Sequence, residues 1–173
     1  MALLWEYTDQ MQIKPISGNF PKVQFEQIGA EVQVEDLQKI LGFSFYQDLI
    51  QNPSTTANAA LLDGGTYTSG GVTYTYAGLK YVLAYLFYAR YVKVSFKKDT
   101  AGGLVQKNFE ESRQINEGAN SNYHKDFRKI AFSYWKETEC FLRANSSDYP
   151  YYCTDPSEDC CWSSDAYRNS WCF

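Results

Sequence analysis

The stretch from Leu61 to Phe96 constrains this chain more than any other: a Leu-Leu-Asp-Gly-Gly break, a Thr/Tyr ribbon, then a helix crowded with tyrosines. The ribbon reads Gly65-Thr66-Tyr67-Thr68-Ser69-Gly70-Gly71-Val72-Thr73-Tyr74-Thr75-Tyr76. Gly70-Gly71 suits a two-residue turn, because the primed turns that join tight hairpins need positive φ at central positions. In that register Ser69 faces Val72, Thr68 faces Thr73 and Tyr67 faces Tyr74. Side chains alternate with period two, so Tyr67, Val72, Tyr74 and Tyr76 share one face and Thr66, Thr68, Thr73 and Thr75 the other. A lone two-stranded ribbon is marginal in water, so the tyrosine face is expected to rest on another element or another chain.

The helix expected from about Ala77 to Phe96 carries Leu79, Val82, Leu83, Leu86 and Phe87 on one broad face. Tyr81, Tyr85, Tyr88 and Val92 run along another at i, i+4, i+7 and i+11. A helix apolar nearly all round is surrounded by other helices or by neighbouring subunits. Lys80 and Arg90 leave nine residues between charges, short of the roughly 20 apolar residues of a membrane span. Core packing explains the tyrosine stripe better than a stacking site for a cofactor, and hydroxyls that need partners favour the boundary between core and interface.

At 173 residues the chain is long enough for one domain with its own core. Sixteen basic against twenty acidic residues, with a pI near 5.0, argue against a general nucleic-acid binder, whose affinity rests on neutralising phosphates. The only local basic patch, Val92 to Lys98, reads as a solvated helix end. Tyrosine is the compositional outlier, with 15 residues, and is enriched at interfaces because it buries a large ring while keeping a wet end. The first residues, Met-Ala-Leu-Leu-Trp-Glu-Tyr-Thr-Asp, lack the pattern of a signal peptide, so the chain is expected in the cytoplasm where it is made, unless it leaves inside an assembly.

In chain order, residues 1–18 read as an extended arm, residues 19–144 as a helical domain with the hairpin 65–76 inserted, and residues 145–173 as an irregular tail rich in cysteine and aromatics. A helix is expected to start near Asn19-Phe20-Pro21, a second to run from Val34 to Leu41 with Gly42 as its stop, and a third from Phe45 to Gln51. Ala59 to Leu62 adds a further turn. After a break at Asp99–Gly103 a long helix is expected from near Gln106 to about Ala144, with Gly118 as a point of bending. Its stripe is Tyr123, Phe127, Ile130, Tyr134, Thr138 and Phe141, with Ala131, Trp135 and Leu142 beside it. The fold class is therefore mainly α, a bundle of about four or five helices with one β-hairpin.

Motifs for chemistry are scarce. The carboxylate pairs Glu35/Asp36, Glu110/Glu111 and Glu137/Glu139 read as solvated helix faces. His124 is the one histidine, beside Lys125 and Asp126, and is a weak basis for a hydrolase. Glycine pairs read as turns, since no phosphate-binding pattern surrounds them. Of the cysteines, Cys140 stands apart while Cys153, Cys160, Cys161 and Cys172 crowd the tail. Their spacing matches no common zinc site, yet a cytoplasmic metal-binding or redox-active protein using them is the competing reading. No catalytic, cofactor or metal residue is expected.

The residues that carry a resemblance are Leu41-Gly42, Tyr46-x-Asp48-Leu49-Ile50, Leu61-Leu62-Asp63-Gly64-Gly65-x-Tyr67, Tyr74-x-Tyr76, Gly78-Leu79-Lys80, Ala84-Tyr85 and Tyr88-Ala89-Arg90-Tyr91. They continue through Thr100-x-x-Gly103-Leu104-Val105-x-Lys107 and Ser112 to Tyr149-Pro150. In order and spacing this set, over roughly residues 10–150, resembles the head-to-tail adaptor (neck ring, head completion) proteins of tailed bacteriophages of the crAss-like, Bacteroides-infecting type. The tail from Tyr151 departs from the pattern.

The resemblance implies a structural virion protein in the phage neck, forming a homo-oligomeric ring, commonly twelvefold. A portal protein would sit above it and other neck or tail rings below. DNA would pass through the channel without sequence-specific binding, and no membrane is involved. The residues expected at subunit or partner contacts are Phe45, Tyr46, Tyr67, Val72, Tyr74 and Tyr76, with Tyr151, Tyr152, Trp162 and Trp171 in the tail.

Overall fold

Helix α6 (Leu79–Ser95) is the axis on which the other elements pack. Leu79, Leu83, Leu86 and Phe87 are fully enclosed, and Ala84 and Ala89 let neighbouring backbones come close. The computed structural model describes residues 2–95, 97–100, 103–106 and 117–152. Their architecture is mainly helical, with a two-stranded antiparallel hairpin inserted before α6.

Residues 2–18, expected as an extended arm, are instead folded onto the core. Helix α1 (Tyr7–Ile13) begins where the Glu6 backbone N–H donates to Asp9 Oδ2 at 2.8 Å. Trp5 is buried edge-on against Phe25 and Phe87, with ring centroids 5.7 and 6.2 Å away. The buried Gln10 side chain accepts from Trp5 Nε1 at 3.3 Å and donates to the Lys14 and Ala84 carbonyls, at 2.7 and 3.3 Å. Such polar side chains lie inside a core only where their donors and acceptors are used, and Gln10 uses them to hold α1 on α6.

Helix α2 (Lys22–Val32) follows Pro21. It does not stop before the next helix, as the sequence suggested. A π-helical turn, Gln33–Leu37, carries it into α3 (Gln38–Leu41), and Gly42 ends the run at φ 81°. The widened turn places Gln33 and Asp36 inside the fold. Gln33 Oε1 accepts from the Leu4 N–H at 2.6 Å and Gln33 Nε2 donates to the Ala2 carbonyl at 3.1 Å, so the chain start is held here too. Gly29 leaves room for Leu3 and Trp5; a Cβ there would stand 3.0–3.2 Å from their side chains.

Helix α4 (Phe43–Gln51) and helix α5 (Thr56–Asp63) precede the hairpin, and Thr55 caps α5 by accepting from the Asn58 N–H at 3.3 Å. Strands β1 (Gly65–Ser69) and β2 (Val72–Tyr76) pair in the expected register, with Tyr67 opposite Tyr74 and Thr68 opposite Thr73. Gly70 and Gly71 both have positive φ, 57° and 79°, as a primed turn requires.

Past α6, the segment expected as a simple break forms a second short hairpin, β3 (Lys97–Thr100) with β4 (Gly103–Gln106). Gln106, near which the long helix is expected to begin, is instead the last residue of β4 and pairs with Lys97, and the helix is found from Glu117. The polar Asn116 and the Glu110/Glu111 pair lie outside the described residues. Helix α7 (Glu117–Ala144) runs unbroken past Gly118 and packs along α6. Its buried line is Arg128, Ala131, Trp135, Thr138 and Leu142, with Phe141 at the edge, while Tyr123 and Ile130 are exposed. The packing face is therefore turned from the expected stripe toward the residues expected to lie beside it. A 3₁₀ turn, Ser146–Asp148, leads to the buried Tyr149.

Candidate interaction surface

The β1–β2 hairpin has its root inside the core and its far end outside it. Two glycines set its exit. A Cβ on Gly64 would lie 2.5–2.7 Å from the backbone of Tyr76 and Ala77, and one on Gly78 would collide with the Gly64 nitrogen and stand 2.6 Å from the Leu62 carbonyl. Both residues also have positive φ, 81° and 82°, so the chain entering the hairpin crosses the chain leaving it at a contact that only glycine permits. Lys80 clamps the same place, with Nζ 2.8 Å from Asp63 and 3.5 Å from Asp9. The Asp63 hydrogen bond, with the nearby Asp9 charge, raises the Lys80 pKa despite its partial burial.

Tyr76 completes the root. Its ring stacks on Phe141 of α7 at 4.0 Å and 11°, and its hydroxyl donates to the Ala60 carbonyl at 2.9 Å. Burial raises its pKa. Tyr149 stands edge-on to Phe141 and Phe45 and donates to the Ala57 carbonyl at 2.7 Å, and burial drives its pKa up more strongly. Helix α5 is thereby bonded through two carbonyls to the tyrosines that cover it.

Beyond the root the face opens. Tyr67 is half-buried, edge-on to Phe141 at 5.6 Å and stacked on Tyr74 at 5.4 Å. Tyr74 is 45% exposed and Val72 52%. On the opposite face Thr66, Thr68, Thr73 and Thr75 are all exposed, and the Thr68 and Thr73 hydroxyls meet at 3.4 Å.

The residues expected to meet partners thus divide. Phe45, Tyr46 and Tyr76 are buried, with Tyr76 only 3% exposed, and their surfaces are spent on this chain's own core. Their apolar character, read from sequence as stickiness toward another subunit, is satisfied inside the fold. Tyr67, Val72 and Tyr74 stand together on the ribbon. Tyr151 is exposed elsewhere, and Tyr152 is half-buried against Phe45 at 5.7 Å. Trp162 and Trp171 lie outside the described residues, as do Cys153, Cys160, Cys161 and Cys172.

The tyrosine stripe of α6 meets α7 along a seam. Tyr81 and Tyr85 each pack on Tyr134 at 5.4 Å, and Tyr88 stands edge-on to Phe127 at 4.6 Å with Lys14 over both rings. These rings lie within the chain's own α6–α7 seam, Tyr85 and Tyr88 partly buried against the core and Tyr81 more exposed.

One polar constellation escaped the sequence. Asp36 is not on a solvated face. It sits 4% exposed between Arg90, whose Nε and Nη2 donate to Oδ2 at 3.1 and 3.0 Å, and Arg128, whose Nη2 donates to Oδ1 at 2.7 Å. Glu31 lies 3.6 Å from Arg90. Next to this group His124 is half-buried rather than at the surface, and its pKa is lowered to about 4, first by burial and then by the Lys93 and Arg128 charges. Glu35, by contrast, is exposed and pairs with Lys39 at 2.9 Å, as a solvated face implies. Among the described residues no three His, Cys, Asp or Glu side chains gather as a metal site, and no helix is long and apolar enough to cross a membrane.

Residues 37–161, from the end of the π turn through the hairpin, α6 and α7, match the model of a family of unknown function, DUF6712. The chain belongs to DUF6712. No curated protein and no solved structure matches it. The matched region of this DUF6712 member contains the glycine crossing at Gly64 and Gly78, the whole ribbon, and both arginines that hold Asp36.

Proposed function

We propose that this DUF6712 protein is a structural adaptor that assembles as a ring in the neck of a tailed bacteriophage, under a portal protein and above further neck or tail rings. The observation that carries the reading is the rooted hairpin. A two-stranded ribbon is too weak to stand alone, and here its base is locked by Gly64, Gly78, Lys80 and the Tyr76–Phe141 stack while Val72 and Tyr74 project unburied. Such a rigid apolar projection suits a contact with another subunit. The head-to-tail interfaces of a ring join two different surfaces, one of which this ribbon would supply. The net charge of −4 fits a wall past which DNA slides, since strong phosphate binding would hold it.

Purified protein mixed with the portal of the same virus and viewed by electron microscopy tests the proposal. Rings of this chain stacked on the portal are expected. A chain that stays monomeric both alone and with the portal would overturn the reading.

A further inference from the structure

The hairpin has a further feature, separate from its tyrosine face: its two edges. Across a two-residue turn, the flanking Ser69 and Val72 form the first hydrogen-bonded pair and Tyr67 and Tyr74 the next. Thr66 and Thr68 on β1, and Thr73 and Thr75 on β2, therefore turn their backbone N–H and C=O groups outward. All four are exposed, and among the described residues no further strand pairs with either edge. Natural sheets guard such edges with lysine, proline or a bulge. From Gly65 to Tyr76 there is no charge, no proline and no break in register.

We propose that these edges are the joint between copies of this chain, with β2 of one copy adding antiparallel to β1 of the next. The sequence of the two strands argues for a second copy as the occupant. Each contains Thr-Tyr-Thr, at 66–68 and at 73–75. Within one chain that repeat already pairs with itself, Thr66 with Thr75, Tyr67 with Tyr74 and Thr68 with Thr73. The Thr68–Thr73 hydroxyl contact of 3.4 Å and the Tyr67–Tyr74 stack of 5.4 Å show the cross-strand pairs this register makes.

A β2–β1 joint between copies in the same register repeats every one of these pairs, with threonines continuing on one face and tyrosines on the other. Uncharged edges meet without like-charge repulsion. Because the two edges differ, the joint is head-to-tail: copy after copy adds in one sense, and the array closes into a ring or grows as a filament. This deepens the ring reading and rests on it only for closure.

Proline at an outward-facing position removes the N–H that the joint needs while sparing the hydrogen bonds inside the hairpin. Thr75→Pro on β2 and Thr68→Pro on β1 are therefore compared with the full-length wild type by sedimentation velocity over a concentration series, with thermal melting as the check on folding. Hydrogen exchange of the outward amides at Thr66, Thr68, Thr73 and Thr75 supplies a readout that needs no substitution.

The wild type is expected to self-associate, with slow exchange at those amides in the assembly and fast exchange in the monomer. Each proline variant is expected to weaken association at least tenfold with unchanged melting. Assemblies that survive both prolines, or outward amides that exchange fast within the assembly, would overturn the edge joint and leave the ring reading standing. Amides protected already in the monomer would show another part of the same chain on the edge, and a monomer at every concentration would remove the joint; both overturn it. Proline-sensitive filaments that never bind a portal would support the joint and sink the neck reading.

Discussion

Asp36 shows how much one side chain can hold. It is enclosed with two guanidinium groups, and a buried ion pair is tolerated only when every charge has its partner. Asp36→Ala leaves Arg128, itself buried, without its carboxylate, and breaking such a pair costs about 3–5 kcal/mol. Glu35→Ala, one residue away and exposed, removes a solvent-screened surface pair that holds little of the fold together. Urea titration of the two variants side by side is expected to show a large fall in midpoint for the first and almost none for the second. Nothing in the local sequence separates Glu35 from Asp36. The arginines that decide the matter lie 54 and 92 residues further along the chain, so the burial belongs to the tertiary fold and could not be read locally.

Glycines give a second contrast at the same scale. Gly70 and Gly78 both have positive φ, and an L residue in that region costs roughly 1–2 kcal/mol. A Cβ at Gly70 meets nothing within 4 Å, whereas one at Gly78 strikes the backbone of Leu62 to Gly64, where α5 ends and the chain enters the hairpin. Gly70→Ala is therefore expected to lower stability by about the backbone cost alone. Gly78→Ala is expected to lower it by several times that amount, because neither strand at the crossing can move without lifting Tyr76 off Phe141. Comparing their denaturation midpoints checks the ratio.

Among elements, the hairpin was the most legible because its signal is local. Alternation with period two and a Gly-Gly turn specify pairing, faces and register without reference to the rest of the chain. Helix α1 was the least legible: seven residues offer too short a pattern, and what holds them is Gln10 and Trp5 reaching α6 and α2. The face of α7 was misjudged in part for the same reason. Arg128 and Thr138 on its buried line are polar, and Arg128 is paired there with Asp36 while the Thr138 hydroxyl donates to the Tyr134 carbonyl at 3.0 Å.

Helix α7 also carries a pH response. His124 has its folded pKa lowered to about 4 from an ordinary 6.5, facing Lys93 and Arg90 of α6, Arg128 of its own helix and Asp36 of the π turn. The unfolded chain therefore binds the proton more readily between these values, and stability rises with pH wherever that holds. The contribution of His124 is fully present above about pH 6.5 and is lost as pH falls toward 4. Melting temperatures measured from pH 7 to 5 are expected to drop for the wild type and to drop less for His124→Gln, which keeps a polar side chain without the charge. Equal slopes would mean that carboxylates alone set the response.

For the whole molecule, the residues grouped by sequence as one surface divide by burial, and the consequence can be measured. Phe45 and Tyr76 are part of the core, where truncating a large aromatic costs about 3–5 kcal/mol. Val72 and Tyr74 keep about half of their surface exposed, with Tyr74 stacked on Tyr67, so it is this exposed area that a neighbour would cover. Tyr76→Ala is expected to lower the melting temperature sharply and to affect association only through the loss of folded protein. Val72→Ser combined with Tyr74→Ser is expected to leave melting nearly unchanged and to weaken association, by analogy with interface aromatics whose removal costs about 1–2 kcal/mol or more.

Light scattering and melting recorded on the same samples separate the two effects. A double variant that melts early while still associating would place the tyrosine face inside the fold's own energetics. Unchanged melting with lost association would assign that face, together with the edges beside it, to the neighbour.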